Sequence, residues 1–568
     1  MNRNADYKFS QIPFNEIQRS KFSTFINHKT SFNMGDLVPI YCTTDVLPAD
    51  TWKLDLSYVI RLNSELIKPI MDNLILDVWA FMTPIRILWD HWKEFNGENT
   101  LGAWAQLQEY NVPKIQGTIT AKSILDYMGW PTNVKLTDSA TASNCGNSFG
   151  VRAYIKTWNE WFRDQNYTAP LQDYAGDSNT TFDAANPVTG GKLLKVYKIH
   201  DYFTSVLPAP QKGPALQIPL GTSAPTMIVG NGNAPVLTTD GVNYGYLAIS
   251  GYGGTGSTNK LLQTGLGTEN NGRIPQAIGS PGTLIANNLV AFSQNAGLSG
   301  LTGTTDLSMA TAATVNALRF AFAVQRLYEK DARGGTRYRE IIRSQFGVIS
   351  PDATQQIPEY LGGFRTPINI IQVIQTSEST NNSNLAEQGA FSQTTGSRHI
   401  FTKSATEHAV ILLLCAIRQE HTYQQGLNRG LSRNNRLEYY IPSLSHLSEQ
   451  AILNKELFVS GNLEKDNQAF GFQERYAEYK YGKSYVSAEM RSNYAQTLDY
   501  WHLADYYTNT PTASTEFLQE TKEYLDRCLR VPSGEKNLAD QFIADFRINL
   551  TLTRPMPLYD IPGLIDHF

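Results

Sequence analysis

The sequence predicts a mainly β protein, a β-sandwich whose inter-strand loops have grown into long, partly helical insertions. Three observations carry this. Alternating strands stand near both ends of the chain, amphipathic helical stretches lie between them, and one long internal segment is glycine-rich and almost uncharged.

In TWKLDLSYVIRLN (51–63), Leu54, Leu56, Tyr58, Ile60 and Leu62 alternate with Lys53, Asp55, Ser57, Val59 and Arg61. A period of two puts one set on a buried face and the other on a wetter one. LILDVWAFM (74–82) reads as a second, more apolar strand. FIADFRINLTLT (542–553) alternates again, with Phe542, Ala544, Phe546, Ile548, Leu550 and Leu552 on one face.

The helical stretches follow the i, i+3, i+4, i+7 spacing of a single face. In VRAYIKTWNEWFRDQN (151–166) that face is Val151, Tyr154, Ile155, Trp158, Trp161 and Phe162. RYREIIRSQFG (337–347) places Tyr338, Ile341, Ile342 and Phe346 together and stops at Gly347, a fitting C-terminal cap. EFLQETKEYLDRCLR (516–530) reads as a third helix. The unusual segment, residues 221–310, has five charged residues in ninety and 17 of the 42 glycines. Short apolar pieces (MIV, YGYLAIS, LIANNLVAF) interrupt it, so it reads as a turn-rich, exposed β excursion.

Composition narrows the function. Of 568 residues 41% are hydrophobic and only 18% charged, with 29 Tyr, 25 Phe and 9 Trp. Few charges and many amphipathic rings suit wide protein–protein contacts, and equally a large aromatic β core. A net charge of −4 argues against a dedicated nucleic-acid-binding protein, though not against one locally basic face. Cys42, Cys145, Cys415 and Cys528 lie far apart without a CxxC pair, which suits reduced, buried thiols. The first residues carry no apolar signal region, and AVILLLCAI (409–417) is too short to cross a bilayer.

Catalytic and cofactor motifs are absent or incomplete. Gly251, Gly253 and Gly256 match GxGxxG without a convincing helix or an acidic ribose partner behind them. Gly482-Lys483-Ser484 resembles the end of a phosphate loop, but Ala477 stands where its first glycine belongs. Asp499, His502 and Asp505 could share a helix face as a metal or acid–base trio; their aromatic neighbours favour packing. No cofactor, metal or catalytic residue is expected. Basic residues gather in three places. Residues 1–30 hold Arg3, Lys8, Arg19, Lys21 and Lys29, a mildly basic arm or a frayed terminus. EKDARGGTRYREIIR (329–343) holds Lys330, Arg333, Arg337, Arg339 and Arg343, and RGLSRNNRLEYY (429–440) sets Arg429, Arg433 and Arg436 beside Tyr439 and Tyr440. Arginine next to aromatic rings can hold unpaired bases by phosphate contact and stacking. The same arginines could instead serve salt bridges between subunits or cap backbone carbonyls. The candidate nucleic-acid contacts are Arg3, Lys8, Arg429, Arg433, Arg436, Tyr439 and Tyr440.

GDLVPIY (35–41), VLPADT (46–51) and WAFMTPIRILWDHW (79–92) resemble the N-terminal block of microvirus major capsid proteins, especially the gokushovirus-like branch. The resemblance continues through 151–166, DYFTSVLPAPQKG (201–213), 329–348, EYLGG (359–363), TYQQGLNRG (422–430), FGFQERYAEYKY (470–481) and TRPMPLYDIPGLIDHF (553–568). Ala49 departs from the family's usual glycine, so a turn there must do without easy positive φ. The resemblance implies an eight-stranded antiparallel jelly roll with long, partly helical insertions. It also implies a structural, non-enzymatic role: a T=1 icosahedral shell of identical chains, assembled in the host bacterial cytoplasm and found in the virion. The partners it implies are an internal scaffolding protein, a small basic DNA-associated peptide, packaged circular single-stranded DNA and a host cell-surface receptor. The expected organisation is an arm (1–30), first jelly-roll strands with a helical insertion (31–220), and a variable insertion forming a threefold protrusion (221–313). The remaining strands, a second helical insertion and the C-terminal strand and tail follow (314–568). A monomeric carbohydrate-binding or hydrolytic jelly roll is the competing class.

Overall fold

Alternation at Thr51–Leu62 has the outcome that period two requires: Trp52, Leu54, Leu56, Tyr58, Ile60 and Leu62 are buried and the residues between them are wetter. The six apolar residues read between 542 and 552 are likewise all buried. Each fully buried Leu or Phe contributes roughly 1.5–3 kcal/mol over its exposed state, so such faces set the register. The computed structural model describes residues 18–99, 108–139, 142–214, 315–377, 385–447, 449–533 and 540–559. It also describes positions 102, 104 and 106 and, between 215 and 314, seven short strands. The chain divides into two units, Met1–Pro214 with Leu327–Phe568, and Ala215–Arg326.

The first unit is built on nine strands: β1 (Ser20–Phe32), β2 (Val38–Val46), β3 (Thr51–Leu62), β4 (Leu74–Pro84), β5 (Glu359–Pro367), β6 (Ile370–Ile374), β7 (Gln388–Ser404), β8 (Ala409–Gln419) and β9 (Phe542–Arg554). They form two antiparallel sheets, ordered β1-β9-β3-β7-β6 and β5-β4-β8-β2. One hydrophobic core takes Leu54, Leu56 and Ile60 from the first sheet and Val78, Ala80 and Leu412 from the second, and Tyr58 stacks on Phe364 across it at 5.4 Å. The architecture is therefore a sandwich.

Strand β8 carries the aliphatic run at 409–417 and is buried on both faces. Its outer face is covered by the first insertion: Val410 packs with Ile85, Trp89, Phe149 and Ala153. This double cover explains why the run shows no alternation. Helix α1 (Phe149–Thr157) supplies that cover and continues as one wide π turn through Phe162. Thr157 Oγ1 bonds back to the carbonyl of Ala153 there, and the turn sends the Trp158 and Trp161 indoles to different acceptors, Lys195 O at 3.1 Å and Pro358 O at 2.9 Å. Helix α2 (Tyr338–Phe346) ends on Gly347 at φ 73°, the left-handed cap expected from the sequence.

Two expectations change. The arm is shorter than 1–30, because Ser20–Phe32 is an edge strand bonded along its length to β9. The helix expected over 516–530 is two short pieces, Thr515–Leu518 and Glu523–Cys528. Between them Leu518 O accepts from Lys198 N at 2.8 Å and Glu520 N bonds Val196 O at 3.0 Å, so pairing with a neighbouring segment wins over helical propensity. At Ala49 the turn takes positive φ, 69°, without the glycine that would make it easy.

In the second unit Thr226–Gly230 pairs antiparallel with Leu301–Thr305, Leu237–Thr238 with Ala291–Phe292, and Lys260–Gln263 lies between Ala248–Ile249 and Gln276–Ala277. Strands fall on all three apolar pieces, MIV, YGYLAIS and LIANNLVAF. Gly251, Gly253 and Gly256 lie outside the described residues.

Candidate functional site

The tyrosine–arginine segment at 429–440 follows β8 through a series of single turns. Asn428 caps the first, its Oδ1 accepting from Gly430 N at 3.0 Å. That turn points Arg429 inward. Its guanidinium donates to Ala451 O at 2.8 Å and Glu456 Oε1 at 3.1 Å, with Glu478 3.8 Å away. Glu456 is buried and also accepts from Lys483 Nζ at 3.0 Å and Tyr202 Oη at 3.1 Å. Burial, with the neighbouring Glu456 carboxylate, holds the Tyr202 phenol well above its usual range. Lys483 also lies over the Tyr202 and Phe203 rings at 4.2 and 4.9 Å, and burial pulls its ammonium below the ordinary lysine value. The lysine of the partial phosphate-loop motif is thus committed to a structural ion pair.

Arg433 bonds Glu478 Oε1 at 3.1 Å and sits 4.4 Å from the Tyr479 ring centre and 5.1 Å from that of Tyr439. Tyr440 meets Tyr476 and Tyr479 edge-on at 5.1 and 6.1 Å. Tyr439, Tyr440 and Tyr479 are each 51% exposed, and Arg436 is exposed beside them. The result is a wet tyrosine surface propped from below by three cations (Arg429, Arg433, Lys483) and two carboxylates (Glu456, Glu478). Glu456, Glu478, Tyr479 and Lys483 lie outside the 429–440 segment, and no motif in the sequence ties them to it. Arg3 and Lys8 lie outside the described residues.

The other basic stretch, 329–343, joins the two insertions. Arg337 pairs with Glu160 at 3.4 Å and Glu340 at 3.2 Å, while Arg339 lies 4.2 Å over Trp161 and pairs with Asp352 at 3.6 Å. Arg333 is bonded to Glu449.

Asp499, His502 and Asp505 do not share a helix face: Asp499–Trp501 is a single turn and His502 is extended. His502 bonds Met490 O at 2.6 Å and Asp499 faces Arg527 at 3.8 Å. Asp505 belongs to a different, fully buried group. It contacts His421 Nδ1 at 2.8 Å and Lys198 Nζ at 3.0 Å, and Tyr507 Oη donates to it at 2.8 Å. His421 Nε2 faces Glu520 at 3.2 Å. With a carboxylate at each ring nitrogen, both must donate, so the imidazole is held as its cation. Burial by itself would lower its pKa, but Asp505 and Glu520 outweigh that and raise it to about 9. Two cations and two carboxylates balance in a space closed to solvent, a bolt joining four segments rather than a reactive centre. Among the described residues no group of His, Cys, Asp or Glu is arranged to hold a metal ion, and the four cysteines are free thiols, two of them buried.

A sandwich wrapped in insertions, stitched by buried ion pairs and presenting aromatic surface, suits a building block, and comparison with known proteins decides which. The family model described as capsid protein (F protein) matches residues 10–564. The chain belongs to this capsid protein family. Capsid protein VP1 of Bdellovibrio phage phiMH2K is 37% identical over all of this chain and 99% of its own length. Those of Spiroplasma virus 4 and Chlamydia phage 1 are 37% and 34% identical, each over 98% of this chain and 97% of their own lengths. The resemblance to microvirus capsid proteins of the gokushovirus-like branch therefore holds along the whole chain. A capsid protein works by assembling with copies of itself into a shell, as a structural component of a virion. Among the described residues no helix is long and apolar enough to cross a membrane.

Proposed function

We propose that this capsid protein is the shell subunit of a T=1 icosahedral particle that encloses circular single-stranded DNA and has no catalytic role of its own. The observation that carries the reading is end-to-end similarity to capsid proteins combined with the strand order. Taken as β1-β9-β3-β7 against β2-β8-β4-β5, that order supports an eight-stranded jelly roll, to which β6 adds an edge strand. Assembly in the host cytoplasm uses an internal scaffolding protein, and a small basic peptide neutralises genome charge that a chain of net charge −4 cannot. Residues 221–313 form an outward protrusion at threefold axes that binds a host receptor. On the inner wall, genome contacts come from Arg3, Lys8, Arg436, Tyr439 and Tyr440. Arg429 and Arg433, whose guanidinium groups already face Glu456 and Glu478, fix the tyrosines from beneath.

Expression with the scaffolding protein and genome, followed by particle reconstruction, tests this. Closed particles with ordered DNA against Tyr439 and Tyr440 are expected, with that order lost in Arg436→Ala/Tyr440→Ala particles that still close. Soluble monomers that form no particle, or an outward-facing tyrosine surface, would refute the reading.

A further inference from the structure

Strand β6 stands at the end of its sheet, and among the described residues its only strand partner is β7. The β7 segment it pairs with is bridged on its other side to Leu66 through Ala390, so β6 is the outermost strand there and leaves one backbone edge unpaired among the described residues. Ile371, Val373 and Ile374 are 41, 47 and 47% exposed, and Phe391, across from Ile371 on β7, is 41% exposed. Proteins ordinarily blunt such an edge with charge, proline or a bulge. Here residues 368–376, INIIQVIQT, contain no charged residue and no proline.

The backbone shows which groups the edge offers. Gln375 turns both its polar groups toward the returning strand, N to Glu387 O at 2.8 Å and O to Ala386 N at 2.9 Å. Asn369 does the same through the Thr394 and Ser392 hydroxyls, at 2.8 and 2.9 Å. Strand alternation then directs the N–H and C=O groups of Ile371 and Val373 toward β7 and those of Ile370, Gln372 and Ile374 away from it. The strand itself, Ile-Ile-Gln-Val-Ile, is a near palindrome about Gln372.

We propose that β6 pairs antiparallel with β6 of a second copy of this chain across a twofold axis through Gln372, joining two five-stranded sheets into one. The palindrome identifies the occupant. Antiparallel pairing about Gln372 sets Gln372 against Gln372, Ile371 against Val373 and Ile370 against Ile374, so every outward backbone group meets its complement. β-branched residues face one another on the same side, as favourable cross-strand pairs do. A twofold interface must be self-complementary in this way, and a neutral strand fits a neutral copy without burying charge. The inference rests on the reading that copies of this chain build the shell.

Cysteine crosslinking of the full chain tests the register. Facing Cα atoms in a hydrogen-bonded antiparallel pair lie about 5.5 Å apart, within disulfide reach. Under mild oxidation Gln372→Cys should give a covalent dimer in assembled particles, whereas Ile374→Cys, about four residues of register from its own copy, should not. Ile371→Lys/Val373→Lys alters only exposed side chains and should lower particle yield at least tenfold while the soluble chain keeps its circular dichroism. Equal crosslinking at 372 and 374, none at 372, or full yield from the lysine variant would overturn the pairing. If wild-type particles form in those cases, the shell function stands and only this contact falls.

Discussion

Ala49 occupies the left-handed region at φ 69°, where its N–H bonds Ala405 O at 2.8 Å and the Asp50 carboxylate accepts from Leu47 N at 3.0 Å and Trp52 Nε1 at 3.2 Å. These bonds hold β3 to the end of β7 and over-determine a conformation that costs a non-glycine residue about 1–2 kcal/mol. Glycine would relieve that strain but lose more chain entropy, so Ala49→Gly should raise stability by about 0.5–1 kcal/mol, read as a higher urea midpoint with unchanged slope. At His421 the sign is set by charge. Its pKa is raised from the ordinary imidazole value to about 9, so its contribution is fully present below that ordinary value and is lost as pH rises through about 9. The difference in unfolding free energy between pH 7 and pH 10 should therefore shrink in His421→Gln. The same change, leaving Asp505 and Glu520 short of a cation, should cost roughly 3–5 kcal/mol at neutral pH. His421 carried no local motif; its partners sit at 505 and 520, and only tertiary folding brings them together.

Among the elements, β5 shows why a glycine pair belongs in a strand. The pairing of β5 with β4 shifts by one residue between Tyr360 and Gly362. A Cβ on Gly362 would be driven into the carbonyl of Ile400 on the opposite sheet, and one on Gly363 into that of Val78 on β4. The two sheets approach at this bulge with no room for a methyl group. Gly362→Ala should cost roughly 1–3 kcal/mol or more through overpacking, visible as a lower melting temperature of the unassembled chain. Elements with one dry face were legible from sequence: β3 and β9 alternate because the core takes every second residue. β1 was not, because an edge strand exposed along most of its length carries no apolar period; Phe25 and Ile26 stay wet beside polar neighbours. The broken helix near 519 was illegible for the opposite reason, since its sequence is helical and only the backbone of Val196 and Lys198 overrules it.

For the whole molecule, the base of the second unit is closed within the first. Lys212 N bonds Tyr328 O at 3.3 Å, so the chain leaves and returns through adjacent residues. Loop-closure entropy grows only slowly with length, so a short linker can replace a long excursion there. Replacing 225–305 with a Gly/Ser linker should leave particles forming, counted by sedimentation, but reduce adsorption to host cells; loss of all particles would place the segment in the shell wall. The sandwich and its family were readable from motifs spread along the chain, whereas the props beneath Tyr439 and Tyr440 were not, because they come from residues 202, 456, 478 and 483. The position of β9 between β1 and β3 has a consequence in time. β1 leaves the ribosome early, yet among the described residues its only partner in the sheet is residues 542–554, which at 5–20 residues per second follow on the order of half a minute or more later. Until then the nascent chain holds a sheet with an empty slot between β1 and β3, and β3 is open along one side. The sandwich therefore cannot close until residue 554 has been made, so subunits are expected to enter a particle only as finished chains.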